Sequence, residues 1–136
     1  MNYEELVEYR NANNPYCRNQ GIVLEEVRQG YGRATVTLTA DDLNPAHVPH
    51  GGIYFALADN ACAGAASSYG YAVVTINVSF NFLNGAKPGD HLTAEAWEVQ
   101  HGRKICVYET EVKNQEGLLL CKGTFTMYQL LNKPLP

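Results

Sequence analysis

Between Gly51 and Ser68 the chain reads GGIYFALADNACAGAASS, a run of eighteen residues with six alanines, three glycines and two serines among only a few large side chains. Its apolar residues run all the way around a helix instead of forming one stripe, which is the pattern of a helix wrapped on most sides. Small side chains let other backbone come close, and a sheet curled around a central helix would supply that cover. One carboxylate, Asp59, stands inside the run. An ionised side chain is costly to bury alone, so an acid at this place is paired, exposed at a seam, or kept for chemistry.

The flanking segments change period several times. Tyr3 to Arg10, with Leu6 and Val7 among acids, predicts a short amphipathic helix that ends before the polar stretch Asn11 to Pro15 and caps the domain. From Gly21 to Thr39 the residues alternate on either side of Gln29-Gly30, which predicts a hairpin. Asp41 to Pro49 holds two prolines and no period, so it is expected as a loop leading into the helix that starts near Gly51. Four β-rich runs follow: Ala72 to Leu83, His91 to Gln100, Ile105 to Lys113 and Leu118 to Leu130. Their separators, residues 84–90, 101–104 and 114–117, have turn chemistry and predict antiparallel neighbours.

At 136 residues the chain has the size of one domain, residues 1–136, with 1–20 as a helix and lead-in. A formal charge of −4 gives no general attraction to nucleic acid. No apolar stretch carries the ~20 residues a membrane span needs, and Met1 to Glu5 lacks the basic region and apolar core of a signal peptide, so a cytoplasmic protein is expected. Cys17, Cys62, Cys106 and Cys121 are far apart without C-x-x-C spacing, which reads as reduced, buried thiols.

The run His50-Gly51-Gly52, Asp59 nine positions after His50, Asn44 six before it, and Lys87-Pro88-Gly89-Asp90 opening a later strand together resemble the hotdog-fold acyl-CoA thioesterases of the phenylacetate-degradation (PaaI-like) type. The resemblance spans Gly21 to Leu130 and implies an α+β fold, a long central helix wrapped by a curved antiparallel sheet. It also implies an enzyme that needs no cofactor, takes acyl-CoA as substrate, and forms dimers that pair again into tetramers, each dimer with two equivalent sites.

A helix N-terminus offers free N–H groups and a positive dipole end, which suits a thioester carbonyl becoming an oxyanion. Gly51 and Gly52 fall there, and the family assigns the polarising N–H to the glycine after the histidine, here Gly51. For Asp59 the implied role is general base on water, or nucleophile on the carbonyl. Asn44 either holds the attacking water or the Asp59 carboxylate, or is a turn residue; Thr75 either occupies a hydroxyl position of the family or is an ordinary strand threonine. His50 is expected to orient its loop through a ring hydrogen bond. Gly51 and Asp59 lie eight residues apart on one helix, ~12 Å along its axis at ~1.5 Å per residue. One carbonyl cannot meet both, so the site is expected to join Gly51 of one copy to Asp59 of another, with two antiparallel central helices.

Other chemistries lack support in the sequence. Cys62, one turn after Asp59, has no evident base, His47 and His50 lack further metal ligands, and the common nucleotide-binding glycine motifs are absent. Coenzyme A phosphates point to Arg103 and Lys104 in a turn, with Lys122 further on, although a charged turn is also consistent with plain solvation. Tyr54, Phe55, Tyr69, Phe80 and Phe82 are the candidates to surround an aryl or medium acyl chain. A non-catalytic acyl-CoA binding or sensing module and a hydratase of the same fold are the alternatives.

Overall fold

A computed structural model describes all 136 residues. Two short helices, α1 (Tyr3–Ala12) and α2 (Pro15–Asn19), precede the hairpin β1 (Val23–Arg28) and β2 (Tyr31–Thr37). The long helix α3 (Gly51–Ser67) leads to β3 (Tyr71–Phe82), β4 (His91–His101), β5 (Ile105–Lys113) and β6 (Leu119–Pro134). The six strands form one antiparallel sheet in the order β1-β2-β4-β5-β6-β3, wrapped around α3 in a hotdog fold. No helix is long and apolar enough to cross a membrane.

The α3 helix lies on a floor of very small residues. In the β2–β4 register Gly32 faces Ala96 and Ala34 faces Ala94. A Cβ on Gly32 would stand 2.2 Å from the Ala61 carbonyl oxygen, so helix and strand backbones touch there. That contact explains the run of alanines in α3: each larger side chain would lift the helix from the sheet. Leu57 and Ala61 of the helix, with Leu92, Tyr108, Leu120 and Phe125 of the sheet, are fully buried beneath it. Each such leucine contributes about 1.5–3 kcal/mol.

Two expectations need correction. Helix α1 continues to Ala12, with Asn2 and Glu5 closing a capping box at its start, and Asn14-Pro15 begins a second helix. Asn14 accepts from the Cys17 N–H and Pro15 takes the first position, where its missing N–H costs nothing. The second correction concerns β3 and β4, which are not neighbours: β3 pairs with β6 at the sheet edge, and residues 83–90 carry the chain to the gap between β2 and β5. That connection is tied down at its far end, where Leu38 N donates to Asp90 O at 2.9 Å and Gly89 N donates to Leu38 O at 2.8 Å. Its turn residues serve a crossover, not a hairpin.

Candidate active site

The start of α3 leaves one donor free. His50 is the N-cap, and its Nδ1 accepts the Gly52 N–H at 2.8 Å, which fixes the ring with its other nitrogen outward. Gly52, expected as a ligand contact, therefore spends its N–H inside the chain. The Gly51 N–H has no partner. Gly51 lines a cavity of about 400 Å³ walled also by Val48, Tyr54, Phe82 and Leu83.

Two turns along, Asp59 has its own surroundings. Its Oδ1 accepts from the Thr75 hydroxyl at 2.6 Å. Thr75 reaches it because the chain turns back after α3 and β3 packs beside the helix, with Thr75 opposite Met127 of β6. Burial pushes the Asp59 carboxyl above its ordinary value; the Thr75 hydrogen bond and, more weakly, the charge of Arg10 act in the opposite direction. Asp59 opens into a second cavity of about 350 Å³, lined also by Arg10, Asn14, Phe55 and Asn60. Gly51 and Asp59 thus sit in separate cavities of one chain.

Asn44 makes no hydrogen bond to Asp59. Its Oδ1 accepts from Ala46 N at 2.9 Å and Val48 N at 3.3 Å, closing the loop that ends at His50. This is turn chemistry at the Gly51 end of the helix.

The aromatic side chains divide. Phe55 packs against Phe80 and Phe125 at 5.9 and 5.4 Å between centroids, and Tyr54 and Phe82 extend that cluster toward Gly51. Tyr69, expected among them, stacks on His101 at 3.6 Å and donates to Glu98 at the other end of the helix. Cys62 is fully buried, and burial drives its thiol pKa far up, so it supplies no thiolate at neutral pH.

The expected basic cluster also divides. Arg103 and Lys104 project from the β4–β5 turn, exposed and without ion pairs, while Lys122 pairs with Glu111 at 3.9 Å. In the β5–β6 register Ile105 faces Tyr128 and Glu111 faces Lys122, six residues and ~20 Å away along the strand. Lys122 therefore does not join Arg103 and Lys104 within one chain. Sequence reasoning missed Arg10, Asn14 and Asn60 beside Asp59. One signal was available: Arg10 is four residues after the buried Leu6, on the same face of α1.

Residues 46–121 match the thioesterase superfamily. A protein of Archaeoglobus fulgidus named as an esterase is 35% identical over 133 residues, 98% of this chain and 86% of its own. The acyl-coenzyme A thioesterase PaaI of Escherichia coli is 36% identical over 104 residues, 76% of this chain and 74% of its own. The solved structure of E. coli PaaI, a protein of the phenylacetic acid degradation operon, superposes with a TM-score of 0.92 over 98% of this chain and 96% of that one, at 28% identity. A Streptococcus pneumoniae protein described as a thioesterase and solved with coenzyme A gives a TM-score of 0.77 at 33% identity, covering 85% of this chain and 88% of that one.

Proposed function

The chain belongs to the thioesterase superfamily as a PaaI-like hotdog acyl-CoA thioesterase, and we propose that it hydrolyses an aryl- or medium-chain acyl-CoA at a site built from two copies. The observation that carries this reading is the separation of the two chemical groups. A free N–H at Gly51 and a half-buried carboxylate at Asp59 lie on one helix, ~12 Å apart and in different cavities.

The edge of the sheet suggests how two copies meet. Strand β3 reads YAVVTINVSFNF over twelve residues, without charge or proline, and leaves Val74, Ile76 and Phe82 exposed. Natural sheets protect such edges. The opposite edge, β1, is short and carries Glu25, Glu26 and Arg28. Antiparallel pairing of β3 with its copy sets the two α3 helices antiparallel and brings Gly51 of one toward Asp59 of the other.

In that site the Gly51 N–H and the positive end of α3 hold the carbonyl oxygen as it gains charge. The Asp59 carboxylate takes a proton from water, whose oxygen attacks the carbonyl carbon; the C–S bond then breaks, and the proton passes to the departing thiolate. Thr75 orients the carboxylate through its hydroxyl, and Asn44, on the loop beside Gly51, supplies its free carboxamide N–H groups to the water from the other copy. The Phe55, Phe80 and Phe82 cluster receives the acyl chain, and Arg103 and Lys104 meet the coenzyme A phosphates. The coenzyme A bound to the S. pneumoniae relative supports this ligand class.

The test is a screen of acyl-CoA thioesters with a thiol reagent. Thiol release well above the blank, lost in Asp59→Asn, is expected. Binding of acyl-CoA without thiol release would instead make the chain a binding module, and hydration of an enoyl-CoA would make it a hydratase.

A further inference from the structure

The N-terminal segment lays a cation into the Asp59 cavity that the hydrolysis described above does not use. Arg10 comes from the last turn of α1, and its Nε is buried without a hydrogen-bond partner. The guanidinium makes no ion pair within 4.0 Å, so Asp59 lies too far away to satisfy it. Across the cavity stands Asn60, 4% exposed; its Oδ1 is the weak acceptor of Asn14 Nδ2 at 3.4 Å, and its own Nδ2 donates to nothing in the chain. Phe55, Ala56 and Ala63 form the apolar wall between. The guanidinium therefore leaves a buried donor unused in a half-apolar cavity, and burying such a group without an acceptor is costly.

Resting on the thioesterase reading, we propose that this cavity is the distal acyl subsite and that Arg10 makes the enzyme selective for acyl groups with a carboxylate at their far end, the monothioesters of dicarboxylic or carboxyaryl acids. The acyl carbon sits at Asp59, the chain passes Phe55, and the terminal carboxylate takes its hydrogen bonds from Arg10 Nε and Asn60 Nδ2. A guanidinium in contact with a carboxylate outweighs the repulsion of the more distant Asp59, because charge-assisted hydrogen bonds act at contact distance. Selectivity of this kind is strong when the wrong substrate leaves buried donors unpaired.

The experiment compares hexanoyl-CoA with adipoyl-CoA, which has the same six carbons and a terminal carboxylate, on the full chain and on Arg10→Met. Wild type is expected to favour adipoyl-CoA by about 10-fold or more in kcat/KM. Arg10→Met should abolish that preference, read as the ratio of kcat/KM for the two thioesters so that any common loss from removing a charge beside Asp59 cancels, while Arg10→Lys keeps part of it. Adipate should inhibit the wild type at lower concentration than hexanoate, a measurement that stands even if the variants fold poorly. Equal kcat/KM for both thioesters in the wild type, or an equal loss on both in Arg10→Met, overturns the proposal. Absence of turnover with every acyl-CoA would instead sink the thioesterase reading beneath it.

Discussion

Replacing Asp59 by asparagine should remove most of the hydrolysis and at the same time make the fold more stable. Burial disfavours the charged carboxylate, and this cause outweighs the Thr75 hydrogen bond and the Arg10 charge that favour it. A carboxyl raised in this way contributes its stability at low pH and loses it as pH rises through the folded-state value, so at neutral pH the ionised group costs the fold free energy. The amide is nearly isosteric and keeps an oxygen for the Thr75 hydroxyl, now 2.6 Å from Asp59 Oδ1. Relief of desolvation outweighs the lost attraction to Arg10, so the variant gains stability, and stabilising substitutions of this kind gain on the order of 1 kcal/mol. For a chain of this size that is a rise in Tm of roughly 3–5 °C. Thermal melts at pH 7.5 and pH 4.5, at one protein concentration, should show the two proteins converging as pH falls. Thiol release should drop by at least ~100-fold, since the amide cannot take a proton. A variant less stable than wild type at pH 7.5 would refute the electrostatic argument, and near-wild-type turnover would refute the assignment of Asp59.

Thr75→Val removes a donor to the ionised carboxylate, so the acid limb of kcat/KM should move to higher pH, with a loss of about tenfold at pH 6 and less at pH 8; an unchanged profile would reduce Thr75 to a strand residue. Gly32→Ala places a methyl 2.2 Å from Ala61 O and 2.8 Å from Ala65 N, so the helix must rise, at about 3 kcal/mol. Gly85→Ala, with nothing within 4 Å, should melt like wild type in the same assay. Replacing Arg103 and Lys104 with alanine should raise KM for acyl-CoA far more than for the matching acyl-pantetheine and leave kcat nearly unchanged; equal effects on both would make the turn structural.

The helix and the strands of this fold were legible because local pattern decides them. The alanines of α3 announce a close approach, and the Gly32–Ala61 contact is where it happens. Strand partners are another matter. The alternation of β3 says which face is apolar but not which strand lies beside it, and the loop after it looked like a hairpin although it ends against β2. Distances set by register are hidden for the same reason: by sequence Lys122 reads with Arg103 and Lys104, although the strand register puts it ~20 Å from their turn. At the site, Asp59 stood out as a charge in an apolar run, and Thr75 meets it because helix and strand form a hairpin-like pair. Arg10 is marked only by its place four residues after Leu6, the one buried residue of a weakly amphipathic α1.

The central claim is that Gly51 and Asp59 act together only across two copies, and subunit mixing tests it most directly. Gly51→Pro removes the N–H yet suits the first helical position, since His50 before it is extended, at φ −64 and ψ 139, and a Cβ would come no nearer than 3.3 Å to Phe82. Each inactive variant alone should release almost no thiol. After equal amounts of Asp59→Asn and Gly51→Pro exchange subunits, half of the dimers are mixed, and each carries one site with both groups intact, so about a quarter of wild-type activity should return. No recovery, with exchange proven by mass-labelled subunits, would place both groups in one chain and contradict the account.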